Sequence, residues 1–389
     1  MQRRQFLAGM GAVGASGLLA PAWAGPGSTS APNARFVVLM LRGGLDGLGV
    51  VPAYGDPKYR SARGDLALPA PRQSGGVLDL DGTFGLHPAL APLMPLYKDR
   101  ALLVAHAVAA PYRERSHFDG QNVLETGMTQ PFASRSGWLA RTLARSPGGM
   151  AIGKTVPQLL RGPNASLSLD PLRTPRPDAP LHRAVAELYA GDPTLAAALE
   201  RGQAAQRLLA RHAEPRASRR ADVAKSARVA ARLLSDPEGP RTATFSIGGW
   251  DTHSGQKGRL GRQLGVLASA FTSFAEAMPP DVWAKTVILA VTEFGRTVQP
   301  NGTGGTDHGV GGVALVAGGA VAGGRVVADW PGLAERQRLE GRDLRPTTDL
   351  RALMKGLLHD HLRVSPSRLN DDVFPGSTSV APLRGLIRG

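Results

Sequence analysis

The sequence holds no cysteine among its 389 residues. That absence removes every site built on a thiolate, including zinc fingers, iron–sulfur clusters, thiol nucleophiles and redox pairs, and it excludes a small disulfide-stapled scaffold. Any metal bound here must sit on oxygen and imidazole nitrogen. Aromatic residues are scarce at 5%, which leaves little for nucleic-acid bases to stack on. Lysine supplies only 7 of the 46 cations, and no run of five or more like charges occurs. The net charge of +15 therefore reads as scattered arginine, and no nucleic-acid partner is expected. Long apolar runs are missing too, so nothing beyond the N-terminal leader is a candidate to span a bilayer.

What is present begins with Met1-Gln2-Arg3-Arg4-Gln5-Phe6-Leu7 and an uncharged Gly/Ala-rich stretch ending Pro21-Ala22-Trp23-Ala24. Paired arginines, a weakly apolar core and small residues at Ala22 and Ala24 predict a cleavable secretory signal over 1–24, of the twin-arginine type that exports folded proteins. The twin-arginine export machinery is thus an expected partner, and the mature chain is expected in the periplasm or outside the cell at a charge of +13. Residues 25–34 read as a flexible lead, and 35–389 as one large domain.

Apolar runs rich in β-branched residues recur at 36–41, 101–108, 243–247, 286–291 and 313–317. Such runs predict strands buried on both faces of a largely parallel sheet, the mark of an α/β fold. Helical spacing lies between them, as with Leu260, Leu264, Leu267 and Phe271, and with Leu350, Leu353, Leu357 and His361. From about 181 to 236 the chain turns Ala/Arg/Leu-rich, with Val223, Ala227, Ala230 and Leu234 at helical spacing and a break at Pro215. This stretch predicts a helical insertion over the sheet.

In an open parallel sheet ligands bind beyond the carboxyl ends of the strands, and polar clusters gather next to these runs. They contain Arg42 and Asp46, then Ser116 and Asp119, then Asp251 and His253, then Glu293 and Arg296, and last Asp307 and His308. Each has a plainer reading. Asp46 could shape a glycine turn, Ser116 and Asp251 could cap helices, Asp307 and His308 could occupy a simple loop, and either arginine could be a surface charge. Glu293 ends a buried strand and needs a partner there. Taken together, the carboxylates and histidines form a hard donor set for one or two divalent ions. Imidazole favours Zn or Mn, with Mg or Ca also accommodated. Asp251 and His253, two apart, can face one side of an extended segment. Arg296 and Arg42 are candidate clamps for a tetrahedral anion. His87 could point into the site or cap a helix, and His106 reads as a core residue.

The leader together with LRGGLDGL, FGLHPALAPL, RSHFDGQNVLETG, GGWDTH, TEFGRT, GGTDHG and LLHDHLRVSPSRLNDDVFPGS resembles the exported domain-of-unknown-function family 1501, grouped with the alkaline phosphatase and sulfatase superfamily. The resemblance runs from about residue 35 to 380. It implies a three-layer α/β/α fold and a metal-dependent hydrolase of phosphate or sulfate esters, acting on an anionic small-molecule or polymer substrate. It also implies metal-ligand places for Asp46, Asp251, His253, Glu293 and His308, and a nucleophile place for Ser116, while Asp307 is a ligand candidate from its own cluster. Phe294 follows Glu293 where that superfamily often has histidine, and Asp251 and His253 are two apart rather than four. These departures leave three outcomes open: a single-metal site, a rearranged pair, or an envelope protein that binds without catalysing.

Overall fold

The computed structural model describes residues 33–144, 146, 148–164, 166–170, 179–212 and 222–389. The expected leader, most of the lead and the break at Pro215 lie outside the described residues. Eleven strands are described: β1 Arg35–Leu41, β2 Leu78–Asp79, β3 Gly85–Leu86, β4 Leu102–Ala109, β5 Met150–Ile152, β6 Leu167–Leu169, β7 Thr242–Ile247, β8 Thr286–Val291, β9 Gly312–Ala317, β10 Arg325–Val327 and β11 Thr348–Asp349. Nine of them form one sheet in the order β10-β4-β9-β8-β1-β7-β5-β6, with β11 beside β4, while β2 and β3 make a small hairpin.

The five long apolar runs of the sequence become β1, β4, β7, β8 and β9, the middle of the sheet. β1 is flanked in parallel by β7 and β8, and all seven of its residues are buried. Its alternate side chains divide the core. Val37, Leu39 and Leu41 pack with Leu260, Leu264, Leu267 and Phe271 on one face, while Phe36, Val38 and Met40 pack with Leu353, Leu357 and Leu358 on the other. Two helical layers therefore enclose the sheet, carried mainly by the helix Gln256–Ala277 on one side and the helix Leu350–Leu362 on the other. The 181–236 stretch carries the helices Pro193–His212 and Val223–Ser235, whose apolar residues join the first layer.

One strand departs from the parallel scheme. β9 runs antiparallel to both β4 and β8. The loop entering β9 thus lies at the sheet edge where the other strands end, which brings Asp307 and His308 to the same edge as the loops leaving β1, β7 and β8. Among the described residues no helix is long and apolar enough to cross a membrane.

Candidate metal centre

Three loops and one helix start meet at this edge. The loop after β1 turns sharply at Gly43, whose φ is +125° and where a Cβ would lie 2.6 Å from the Asp251 backbone nitrogen. Only glycine lets these two segments touch. The loop after β7 carries Asp251 and His253, and the long β8–β9 connection carries Glu293, Arg296, Asp307 and His308. The helix His117–Thr126 opens at the same place with Ser116 at its N-cap position.

Four groups converge at the centre. His253 Nε2 lies 3.0 Å from Asp251 Oδ1 and 3.0 Å from His308 Nε2. His308 Nε2 lies 3.3 Å from Asp251 Oδ1, and His117 Nε2 lies 3.5 Å from Asp251 Oδ2. The His117, Asp251 and His308 donor atoms all fall within 4.8 Å of one another.

The tautomers follow from what each Nδ1 faces. His117 Nδ1 meets Glu293 Oε1 at 2.8 Å, His253 Nδ1 meets Asp307 Oδ1 at 3.1 Å, and His308 Nδ1 meets the Arg115 carbonyl at 2.9 Å. Carboxylates and carbonyls only accept, so each Nδ1 donates its proton outward, and a ring that carries only that proton turns its Nε2 lone pair inward. His117 Nε2 is buried without a hydrogen-bond partner. A tetrahedral ion with bonds of about 2.0–2.1 Å sets its donors about 3.3–3.4 Å apart, near the 3.3 and 3.5 Å that separate Asp251 from His308 and His117. The residues therefore fit a single divalent ion on His117, Asp251 and His308, backed by the acceptors that fix ring orientation at such sites, with His253 beside them and its Nε2 also accepting from Arg296.

The titration of the cluster is set by the groups packed around it. Burial alone would raise the Asp251 carboxyl, but the bond and charge of Arg296, helped by His253 and His117, hold it below its ordinary range. Glu293 is likewise held down against its burial, chiefly by His117. His117 is raised, first by its bond to Glu293, whereas burial and then the neighbouring His117 lower His308.

The structure corrects several expected roles. Glu293 was expected as a ligand and stands one layer back. Its carboxylate takes donors from Gly43 N, His117 Nδ1, Gln121 Nε2 and Thr292 Oγ1, which leaves it facing His117 rather than the centre. Asp307 similarly supports His253. Asp46 is buried and bound to Arg63 and Gln256, outside the convergent group. Arg296 was expected as an anion clamp, but its side chain is wholly buried. Its donors go to the Gly43, Gly44, Trp250 and Thr306 carbonyls, to His253 Nε2 and to Asp251, so it ties the loops together and has no fork left for an anion. Arg42 is engaged by Ser246, Gln121 and Glu125.

Ser116 occupies the N-cap position but its side chain forms no cap bond. Asp251 caps nothing, because Gly255 holds the N-cap of the helix after β7. His87 does cap, accepting from Ala89 N at 3.0 Å, and His106 is a core residue bonded to the Val51 carbonyl at 2.9 Å.

His117 is the participant that sequence reasoning passed over. It lies between the candidates Ser116 and Asp119 in RSHFDGQNVLETG. The available signal was His117 and Gln121 four apart at a helix start, which places both on one face.

Fold and site define an α/β protein with a candidate metal-binding cluster at the carboxyl edge of its sheet. The chain belongs to the family described as "Protein of unknown function (DUF1501)", which matches residues 103–368. No curated protein matches it. Among solved structures it is similar to the C-terminal periplasmic domain of EcEptC from Escherichia coli in complex with Zn, at 11% identity and a TM-score of 0.37, over 75% of this chain and 74% of that one. It is also similar to a protein of glycosaminoglycan metabolism from Bacteroides thetaiotaomicron, at 9% identity and a TM-score of 0.41, over 90% and 75%. A third is the phosphonate monoester hydrolase of Agrobacterium radiobacter, at 12% identity and a TM-score of 0.36, over 85% and 74%.

Proposed function

We propose that this is an exported, metal-dependent hydrolase of phosphate or sulfate esters, with one Zn or Mn ion held by His117, Asp251 and His308 and with His253 beside them. The observation that carries the reading is the convergence of the His117 and His308 Nε2 atoms on the Asp251 carboxylate, each ring fixed from behind. A divalent cation there would acidify a water molecule and offset charge gathering on a phosphoryl or sulfuryl group.

The chain's own residues supply the rest. Asp251 and His253 have side chains nearly half exposed, so one side of the cluster is open to an ester arriving from solvent. The basic chain favours the approach of anions. Glu293, Asp307 and the Arg115 carbonyl keep the three Nδ1 protons out of the centre. Ser116 lies one residue from His117 with its hydroxyl unused as a cap, and it is the alternative to water as the attacking group. The leader supports export to the periplasm or beyond.

The test is metal analysis of protein exported in its host and purified without chelators, followed by a panel of aryl phosphate monoesters, diesters and sulfates. Stoichiometric metal, lost in His117→Ala and Asp251→Ala, with turnover abolished by chelation, is the expected result. Protein without metal under these conditions would sink the proposal. Ser116→Ala separates the modes of attack, because water attack survives it and a covalent route does not.

A second reading, a non-catalytic envelope protein binding a polymer or partner, is favoured by one observation. Both arginines expected to grip the anion are engaged by groups of the protein itself. Metal without turnover across the panel would select it.

A further inference from the structure

Two of the three imidazoles depend on a single residue outside the cluster. Arg115 supplies the carbonyl that receives the His308 Nδ1 proton, and two residues later the chain begins the helix that presents His117. Its φ is +60°, a left-handed conformation that a long side chain adopts only where its surroundings hold it.

The holding contacts are explicit. Arg115 Nε donates to Asp343 Oδ2 at 2.9 Å, and its Nη2 lies 2.8 Å from the same oxygen and 2.7 Å from Glu340 Oε2. Asp343 is wholly buried, and its Oδ1 accepts from Arg342 Nη1 at 3.0 Å. Its backbone bridges to Leu339 and to Thr297, the neighbour of Arg296. The turn carrying Asp343 is therefore fastened to the loop that carries the buried guanidinium of the site. Glu340, with a side chain 64% exposed, is a surface partner of the kind that contributes little.

The geometry points to the Asp343–Arg115 pair as a positioning device for the metal site. It fixes the Arg115 backbone so that His308 keeps its proton on Nδ1 and the helix of His117 starts at the correct place. Neither residue touches the centre. The inference rests on the metal reading above, and the two can fail separately.

Cobalt(II) titration of the metal-free protein tests it, since the dissociation constant and the visible absorption of bound cobalt both report the ligand geometry without any substrate. Asp343→Asn and Arg115→Gly should each weaken binding by roughly 10–100-fold and alter the cobalt spectrum. Arg115→Lys should fall between, and Glu340→Gln should match the unsubstituted protein. Arg115→Gly also relieves the left-handed backbone, so a loss of affinity there cannot be put down to strain, and this variant decides the matter if Asp343→Asn does not fold. Unchanged affinity and spectrum in Arg115→Gly would overturn the positioning role alone. Failure of the unsubstituted protein to take up cobalt, zinc or manganese would overturn the metal reading and the positioning role with it.

Discussion

Glu293 stands behind His117, with its Oε1 receiving the Nδ1 proton at 2.8 Å while three further donors occupy the same carboxylate. A strand-end carboxylate that looks like a ligand in sequence thus acts through an imidazole.

Glu293→Gln retains an acceptor for His117 but loses the charge. The expected effect is metal affinity weaker by roughly 10–100-fold with the fold intact. Calorimetric titration with zinc measures it, and an affinity equal to that of the unsubstituted protein would return Glu293 to a purely structural role.

Asp46 and Arg63 form a buried pair with side chains at 1% and 0% exposure. Removing one partner strands the other's charge, so Arg63→Met should cost about 3–5 kcal/mol of stability. Its urea unfolding midpoint should fall while metal stoichiometry stays the same. Loss of metal from a folded Asp46→Asn protein would instead make Asp46 a ligand after all.

His106 is buried, and that burial, opposed by its bond to the Val51 carbonyl, lowers its pKa to about 4. The unfolded chain protonates near 6.5, so between those values it binds a proton that the folded chain refuses. Stability is therefore full above about pH 6.5 and declines as pH falls towards 4, by up to about 3 kcal/mol from this residue. Urea midpoints at pH 7.5, 6 and 5 should drop in sequence. In His106→Gln the slope should flatten, and an unchanged slope would remove His106 as its source.

Gly295 lies against Gly311, where a Cβ would meet the carbonyl oxygen at 1.9 Å. Gly295→Ala should push the two ends of the β8–β9 connection apart and weaken zinc binding more than it lowers the thermal midpoint of the metal-free protein. The reverse ranking would show that the close approach serves the sheet rather than the site.

The central strands were legible because β1, β4, β8 and β9 are buried throughout and β7 is buried but for Ser246, so that they write nearly continuous apolar runs. β5, β6, β10 and β11 have two or three residues each and leave no such trace. The reversed direction of β9 is equally silent, since a fully buried run reads the same either way. At the site, the pairing of Asp251 with His253 could be read from their spacing. Depth could not: Glu293 and Asp307 have the composition of ligands, and only the fold shows an imidazole in front of each. The arginines misled for a related reason. A guanidinium suited to an anion is equally suited to backbone carbonyls, and Arg296 found four of them.

The reversal of β9 has a further consequence. Because β8 and β9 pair directly, the segment between Val291 and Gly312 is the loop of one long hairpin, and it carries Glu293, Arg296, Asp307 and His308 together. One of the four central groups, His308, therefore arrives on a local unit together with Glu293 and Asp307, the acceptors behind His117 and His253. His117, Asp251 and His253 come from remote segments and must dock onto that unit. An ion shared among them would fasten far-apart stretches of sequence to a single hairpin.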